Sequence, residues 1–470
     1  MNIEIILITI SIIIGLYMAW NIGANDVANA LGTSVGSKAL TLKKAIIIAA
    51  ILEFAGAFLL GSHVSSTIQK DIIYPDFFSF NPTIFALGMI SSLFATAIWL
   101  NLASYFYLPV STTHSIIGSI IGFGAIVGGL HAVNWRELSY IITSWILTPL
   151  SSGFIAYLLF SLLQKRILYA LNPLQATKKL IPFLTFFSIF FFLFSFTFKG
   201  TYFDFSFISS FLISSILGLL FYFIATILIK RVPDISPPNK YRIKPQQTLY
   251  LEKAIKHLQR IKLSSFGDTY EKSSYLLKEL RDLEKKIKKE IEFSKTTTQY
   301  IKVEKIFGYL QILSVCLITF AHGANDVANA IGPIAATTSI LKNHQISNKV
   351  TVPYYLLLIG GAGIIIGLIS WGWRIIETIG KKITELTPTR GFSAEFGAAM
   401  TILFASKLGL PISTTHALVG AILGVGIARG INAINLKTLR DIILSWFVTI
   451  PVSAILSIVI FYLLKAIFNI

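Results

Sequence analysis

At 470 residues, 54% hydrophobic and 13% charged, with a mean hydropathy of +0.72, the chain is too apolar for a soluble protein of several domains. A formal net charge of +18 would suggest nucleic acid in a soluble protein, but 19 basic and 10 acidic residues fall between Lys230 and Lys305, so half of the excess sits in one hydrophilic segment and no nucleic-acid partner is expected. The one cysteine, Cys316, excludes an intramolecular disulfide.

In chain order, apolar runs lie at 4–20, 44–62, 83–107, 110–130, 138–163, 180–199, 206–229, 305–321, 353–371, 391–408, 411–428 and 441–468. The first lacks a basic start and a small-residue cleavage pattern, so it reads as a retained helix. A span takes roughly 20 apolar residues, which predicts an all-α polytopic membrane protein of about 10–12 transmembrane segments, some of them re-entrant or broken.

The octet Gly-Ala-Asn-Asp-Val-Ala-Asn-Ala follows the first run at Gly23–Ala30 and returns letter for letter at Gly323–Ala330. Leu-Pro-Val-Ser-Thr-Thr-His-Ser at Leu108–Ser115 returns as Leu-Pro-Ile-Ser-Thr-Thr-His-Ala at Leu410–Ala417, and Ser144, Trp145 and Pro149 match Ser445, Trp446 and Pro451. Offsets of 300 to 302 residues across all three pairs identify a duplication. The expected organisation is a first transmembrane repeat at 1–163, extra transmembrane helices at 164–230, a basic helical insert at 231–302 and a second repeat at 303–470. If the first repeat starts outside and the second starts from the cytoplasmic insert, the repeats have inverted topology, a plan that puts transport sites at the repeat interface.

Within the insert, Pro233, Pro237 and Pro238 mark a linker, and Leu, Ile, Lys and Glu at helical spacing over Leu251–Ile291 predict one or two amphipathic helices. Its basic excess puts it on the cytoplasmic side. Lys285, Lys286, Lys288 and Lys289 read as a solvated face or as contacts to anionic lipid headgroups.

The octets carry the first chemistry. A carboxylate directly after an apolar run costs a few kcal/mol in lipid unless partnered, so Asp26 and Asp326 need compensation. The glycines at 23, 323, 32 and 332, with Pro333, suggest a broken helix with free carbonyls; in a continuous helix Asn25 and Asn29 share a face. Either arrangement gathers oxygen donors for a hard cation such as sodium, from Asn25, Asp26 and Asn29 and from Asn325, Asp326 and Asn329. In the second motif Pro109 and Pro411 precede Ser-Thr-Thr, a helix start whose N–H groups and hydroxyls form an anion site. Two such starts could hold a tetrahedral oxyanion through Ser111, Thr112 and Thr113 with Ser413, Thr414 and Thr415, and Asn25 and Asn325 are expected at the same substrate site. Plain helix caps are the simpler reading of the same residues. His114 and His416 read as neutral orienting residues, with a proton relay as the alternative, and His63 and His322 are weaker candidates. Glu53 and Glu395 lie inside apolar runs and are candidates for a sodium or coupling role on that ground, although they do not occupy matching repeat positions and a structural hydrogen-bond role is the simpler reading.

Both octets, both Pro-x-Ser-Thr-Thr-His motifs and the stretch Leu386-Thr-Pro-Thr-Arg-Gly-Phe-Ser-Ala-Glu395 resemble the inorganic phosphate transporter family across both repeats. Gly-Thr-Ser-Val-Gly-Ser after the first octet, followed by Glu53, is more similar to its sodium-coupled branch than to the proton-coupled one. The resemblance implies symport of inorganic phosphate with sodium across the cell membrane by alternating access, two opposed repeats, a large cytoplasmic loop and a homodimer. It also implies importance for Asp26, Asp326, Glu53, Glu395, Ser111 and Ser413. Sodium is then a co-transported ligand, with no other cofactor expected.

A sulfate permease of the same architecture is the nearest rival. A proton on phosphate at neutral pH could be accepted by a carboxylate such as Asp26, which sulfate cannot satisfy. A channel or a receptor role for the insert remains open on the sequence, whereas no Ser-His-Asp set, phosphate loop or metal-ligand spacing supports an enzyme.

Overall fold

The computed structural model describes residues 3–70, 72–79, 81–106, 108–198, 205–233, 246–295, 298–343, 352–373, 376, 386–430 and 435–470. Pro237 and Pro238 lie outside the described residues, as do the side chains of Asn29, His63, Lys288 and Lys289. Helix α1 (Ile3–Ile22) continues through a π-helical turn (Gly23–Val27) into α2 (Ala28–Gly36), followed by α3 (Leu42–Leu60), α4 (Ser62–Lys70), α5 (Pro82–Tyr105), α6 (Thr112–Val127) and α7 (Trp135–Leu163). Next come α8 (Pro173–Thr197), α9 (Phe207–Lys230), α10 (Gln246–Leu263), α11 (Asp268–Lys295) and α12 (Thr298–Asn343). The chain ends with α13 (Tyr354–Trp371), α14 (Pro388–Lys407), α15 (Thr414–Arg429) and α16 (Leu436–Phe468). Among the described residues there is no β-strand, only two isolated bridges.

Each apolar run of the sequence is helical over most of its described length, and eight helices among the described residues are long and apolar enough to cross a bilayer. Helices α6 and α15 are equally apolar but have 16 residues each. At 1.5 Å per residue they reach about 24 Å, short of a hydrocarbon core of about 30 Å. The molecule is a polytopic membrane protein, and its burial pattern is that of one. Asn25, Asp26, Glu53, Asn325, Asp326 and Glu395 are buried, while Ile51, Leu150, Ile208 and Phe447 are at least 60% exposed.

The octets do not break their helices. The first spans the π-helical turn and the start of α2, and the second lies inside α12, whose 46 residues run unbroken through Pro333. A glycine costs a helix only about 1 kcal/mol, and here the glycines serve close packing instead. A Cβ on Gly23 would stand 1.9 Å from the Ile364 carbonyl oxygen of α13, and one on Gly323 would stand 2.2 Å from the Glu53 carbonyl oxygen of α3. The interruptions fall between α5 and α6 and between α14 and α15, immediately ahead of the Ser-Thr-Thr motifs.

The chain divides into two compact units. The larger comprises Met1–Phe160, Phe187–Gly218 and Gly308–Ile470. In it α16 packs on α5 and α6, α1 on α5 and α13, α3 on α13, and α14 on α15. Serines serve as polar contacts between these helices, with Ser115 and Ser453 hydroxyls 2.7 Å apart. The smaller unit comprises Ser161–Phe186 and Leu219–Phe307, and in it α10 and α11 pair around Leu251, Ile255 and Leu277.

Candidate functional site

The short helices α6 and α15 begin alike. Ser111 and Ser413 are in extended conformation and accept the N–H of His114 and His416 at 3.2 Å, each a side-chain cap three residues into its helix. The next hydroxyls reach the octets. Thr112 donates to Asp26 Oδ2, and Thr414 donates to Asp326 Oδ2 at 2.7 Å. The last of each triplet crosses to the other motif. Thr113 donates to the Ile412 carbonyl at 2.8 Å, and Thr415 donates to the Val110 carbonyl at 3.3 Å and lies 3.5 Å from Asp26 Oδ1. The two helix starts are therefore joined to each other as well as to the aspartates.

The asparagines fix the chain that enters each helix. Asn25 Nδ2 donates to Ser104 Oγ at 2.9 Å and to the Leu108 carbonyl at 3.2 Å. The Asn325 amide occupies the equivalent place, 3.1 Å from Ser406 Oγ. Asn329 Nδ2 donates to Thr113 Oγ1 at 3.3 Å. Behind the helix starts, the His114 ring lies 3.8 Å from Trp145, the His416 ring 3.5 Å from Trp446, and the two imidazoles 4.4 Å from each other. Aromatic packing of this kind holds both starts at a fixed spacing.

The two halves are not identical. His322, one residue before the second octet, places Nε2 2.8 Å from Asp326 Oδ2 and Nδ1 3.1 Å from Glu53 Oε2. Its counterpart before the first octet is Ile22, so the imidazole that precedes an octet is bonded to the aspartate of the second. Asp26, His322 and Asp326 each bring one potential ligand atom within 4.8 Å of the others. Among the described residues Asn25 Oδ1, Asn329 Oδ1 and Glu53 Oε1 are buried oxygens without a hydrogen-bond partner. Buried acceptors of this kind ask for a donor or a cation.

Glu395 belongs to another cluster. Its carboxylate accepts from Thr33 at 2.6 Å, from Gln311 at 2.9 Å and from Ser314, and Ser37 in turn donates to Gln311 Oε1 at 2.7 Å. Three donors compensate the buried charge. The structure thus gathers Asn25, Asp26, Thr112, Thr113, Asn325, Asp326, Asn329, Thr414 and Thr415 around the capped starts at Ser111 and Ser413, and reaches Glu53 through His322. His322 is only a weaker candidate in the sequence, and Thr33, Gln311, Ser314, Ser104 and Ser406 carry no signal there, being ordinary polar residues until the fold pairs them.

Paired hydroxyl-bearing helix starts suit an oxyanion, and carboxylates among unpartnered oxygens suit a hard cation. The comparisons with known proteins agree with the first of these. Residues 22–457 match the model of the phosphate transporter family. The chain is 42% identical to inorganic phosphate transporter 2-1 of Arabidopsis thaliana, a chloroplastic protein, over 96% of this chain and 70% of that one. It is 44% identical to a Chlamydia pneumoniae protein named as a phosphate permease, over 98% and 99% of the two chains. Among solved structures it is similar to a chain described as the sodium-dependent phosphate transporter, with a TM-score of 0.79 and 35% identity, over 98% of this chain and 99% of that one. The protein belongs to the phosphate transporter family, whose members are membrane transporters and not enzymes.

Proposed function

We propose that the chain carries inorganic phosphate together with sodium by alternating access, with phosphate held at the starts of α6 and α15 and sodium beside Asp26 and Asp326. The observation that carries this reading is the meeting of both Ser-Thr-Thr motifs with both octet aspartates through direct hydrogen bonds. The N–H groups of a helix start and its hydroxyls can ligate phosphate oxygens without a fixed cation. An ionised carboxylate beside the helix starts repels an anion, so an anion enters well only when cations enter with it. The buried oxygens of Asn25, Asn329 and Glu53 fit such cations, and the solved relative is described as sodium-dependent. Glu395, held by three donors, is assigned a coupling or structural role in the same cycle.

In this reading the duplicated halves are opposed in the membrane and rock about the shared site, exposing it to either side in turn. Sodium is cargo, and the assembly is a homodimer in the cell membrane with the basic insert in the cytoplasm. The deciding experiment is uptake of radiolabelled phosphate by proteoliposomes in sodium and in choline, without a pH gradient. Uptake in sodium and its loss in choline are expected; equal uptake in both overturns the coupling. Excess sulfate should leave uptake unchanged and arsenate should compete.

A further inference from the structure

Outside the transport site, the hairpin of α10 and α11 carries a second feature with a chemistry of its own. Its turn is ordered: Ser264 and Ser265 hydroxyls bond back to the carbonyls of Arg260 and Ile261, and Gly267 turns the chain at a φ of 60°. The inner faces are joined by Leu251, Ile255 and Leu277, with Leu258 and Leu280 packed against them.

Beside this small core lies a cleft of about 710 Å³, within the size range of small-molecule sites. Lys278, Arg281 and Lys285 line it at helical spacing on α11, and Lys262 joins them from the end of α10. Asp282 is the one carboxylate in the lining, so four cations meet a single negative charge. Lys278, Arg281 and Lys285 form no ion pair among the described residues, while Lys262 stands 4.8 Å over the Tyr270 ring. Ser274 also lines the cleft, and its hydroxyl is buried without a hydrogen-bond partner. A hydroxyl donor left unmatched among clustered cations is complementary to an acceptor-rich anion.

We propose that this cleft binds an anion bearing two or more phosphate groups. A single phosphate would neutralise only part of the cluster and fill little of the volume. The same chemistry can arrive as a soluble condensed phosphate or as a phospholipid headgroup. The hairpin separates the two, because Phe266 and Leu263 at its tip are 92% and 86% exposed and would add to the binding of a lipid but not of a soluble anion.

The test uses the purified full-length protein with inorganic tripolyphosphate or cardiolipin as probes, followed by native mass spectrometry and titration calorimetry. Binding of either probe with a dissociation constant raised about tenfold or more in the Lys278→Glu/Lys285→Glu variant is expected, since charge-assisted contacts to phosphate are the strong ones. The Lys253→Glu/Lys256→Glu variant changes the same net charge on the exposed side of α10 and should shift binding about twofold or less. Phe266→Ser weakens cardiolipin alone if the ligand is lipid-borne. If neither probe binds, or if the two double variants lose affinity equally, the cleft is not a phosphate-group site.

Discussion

Asp26 and Asp326 hold equivalent places in the two octets but meet different partners, and that difference can be measured. Asp26 takes hydroxyls from Thr112 and Thr415, whereas Asp326 takes Thr414 and also faces His322, which in turn faces Glu53. Replacing Asp326 with Asn removes one carboxylate from a buried chain of three groups and leaves the others mismatched, a kind of change that costs about 3–5 kcal/mol. Asp26→Asn keeps an acceptor for Thr112 and should cost about 1–2 kcal/mol. Thermal unfolding of the two variants in detergent should therefore rank Asp326→Asn well below Asp26→Asn, and equal midpoints would deny His322 its bridging place. The aspartates, asparagines and hydroxyls were legible in the sequence because duplication marked them twice. His322 was not, because its copy is Ile22 and a lone histidine beside an apolar run carries no signal of its partners.

Helices α3 and α12 meet where Gly323 lies against the Glu53 backbone, and the reverse contact is made by Gly56 against the Phe320 carbonyl, at 2.0 Å from an added Cβ. Gly323→Ala must push backbone away from backbone, so a loss of about 1–3 kcal/mol is expected from overpacking, along with displacement of Glu53 from His322. Gly308 supplies the control. It lies in the same helix, and an added Cβ there meets nothing within 4 Å, so Gly308→Ala should be neutral or stabilise by up to about 1 kcal/mol through helix propensity. Melting temperatures that fall alike for both would remove the close-packing role of Gly323. This element also shows where sequence reading runs short. Apolar period and length located the long helices but not α2 or α4, and the glycines and Pro333 around the octets read as helix breakers. Close packing of α12 on its neighbours and the π-helical turn after α1 keep both stretches helical, and neither effect is local to the sequence.

At the scale of the whole molecule, the duplication was visible in the sequence, whereas the surroundings of Glu395 were not. Its donors come from Thr33, Gln311 and Ser314, 362, 84 and 81 residues away, and no spacing rule joins them. What the fold adds is proximity. Asp26 is bonded to Thr112 of its own repeat and to Thr415 of the other, so a cation drawn to the carboxylate and an anion drawn to the hydroxyls would occupy the same neighbourhood. If both ligands bind there, each raises the affinity of the other, and linkage requires the two factors to be the same. Couplings of this type amount to about 1–3 kcal/mol, or roughly 5–150-fold. Calorimetric titration of the purified protein with phosphate, in sodium and then in choline, should give dissociation constants that differ by such a factor. Titration with sodium, with and without phosphate, should return the same factor. Thr415→Val, which removes the hydroxyl that crosses from one repeat to the aspartate of the other, should reduce it while leaving Thr112 on Asp26. A phosphate affinity indifferent to sodium would mean that the two ligands do not share this neighbourhood.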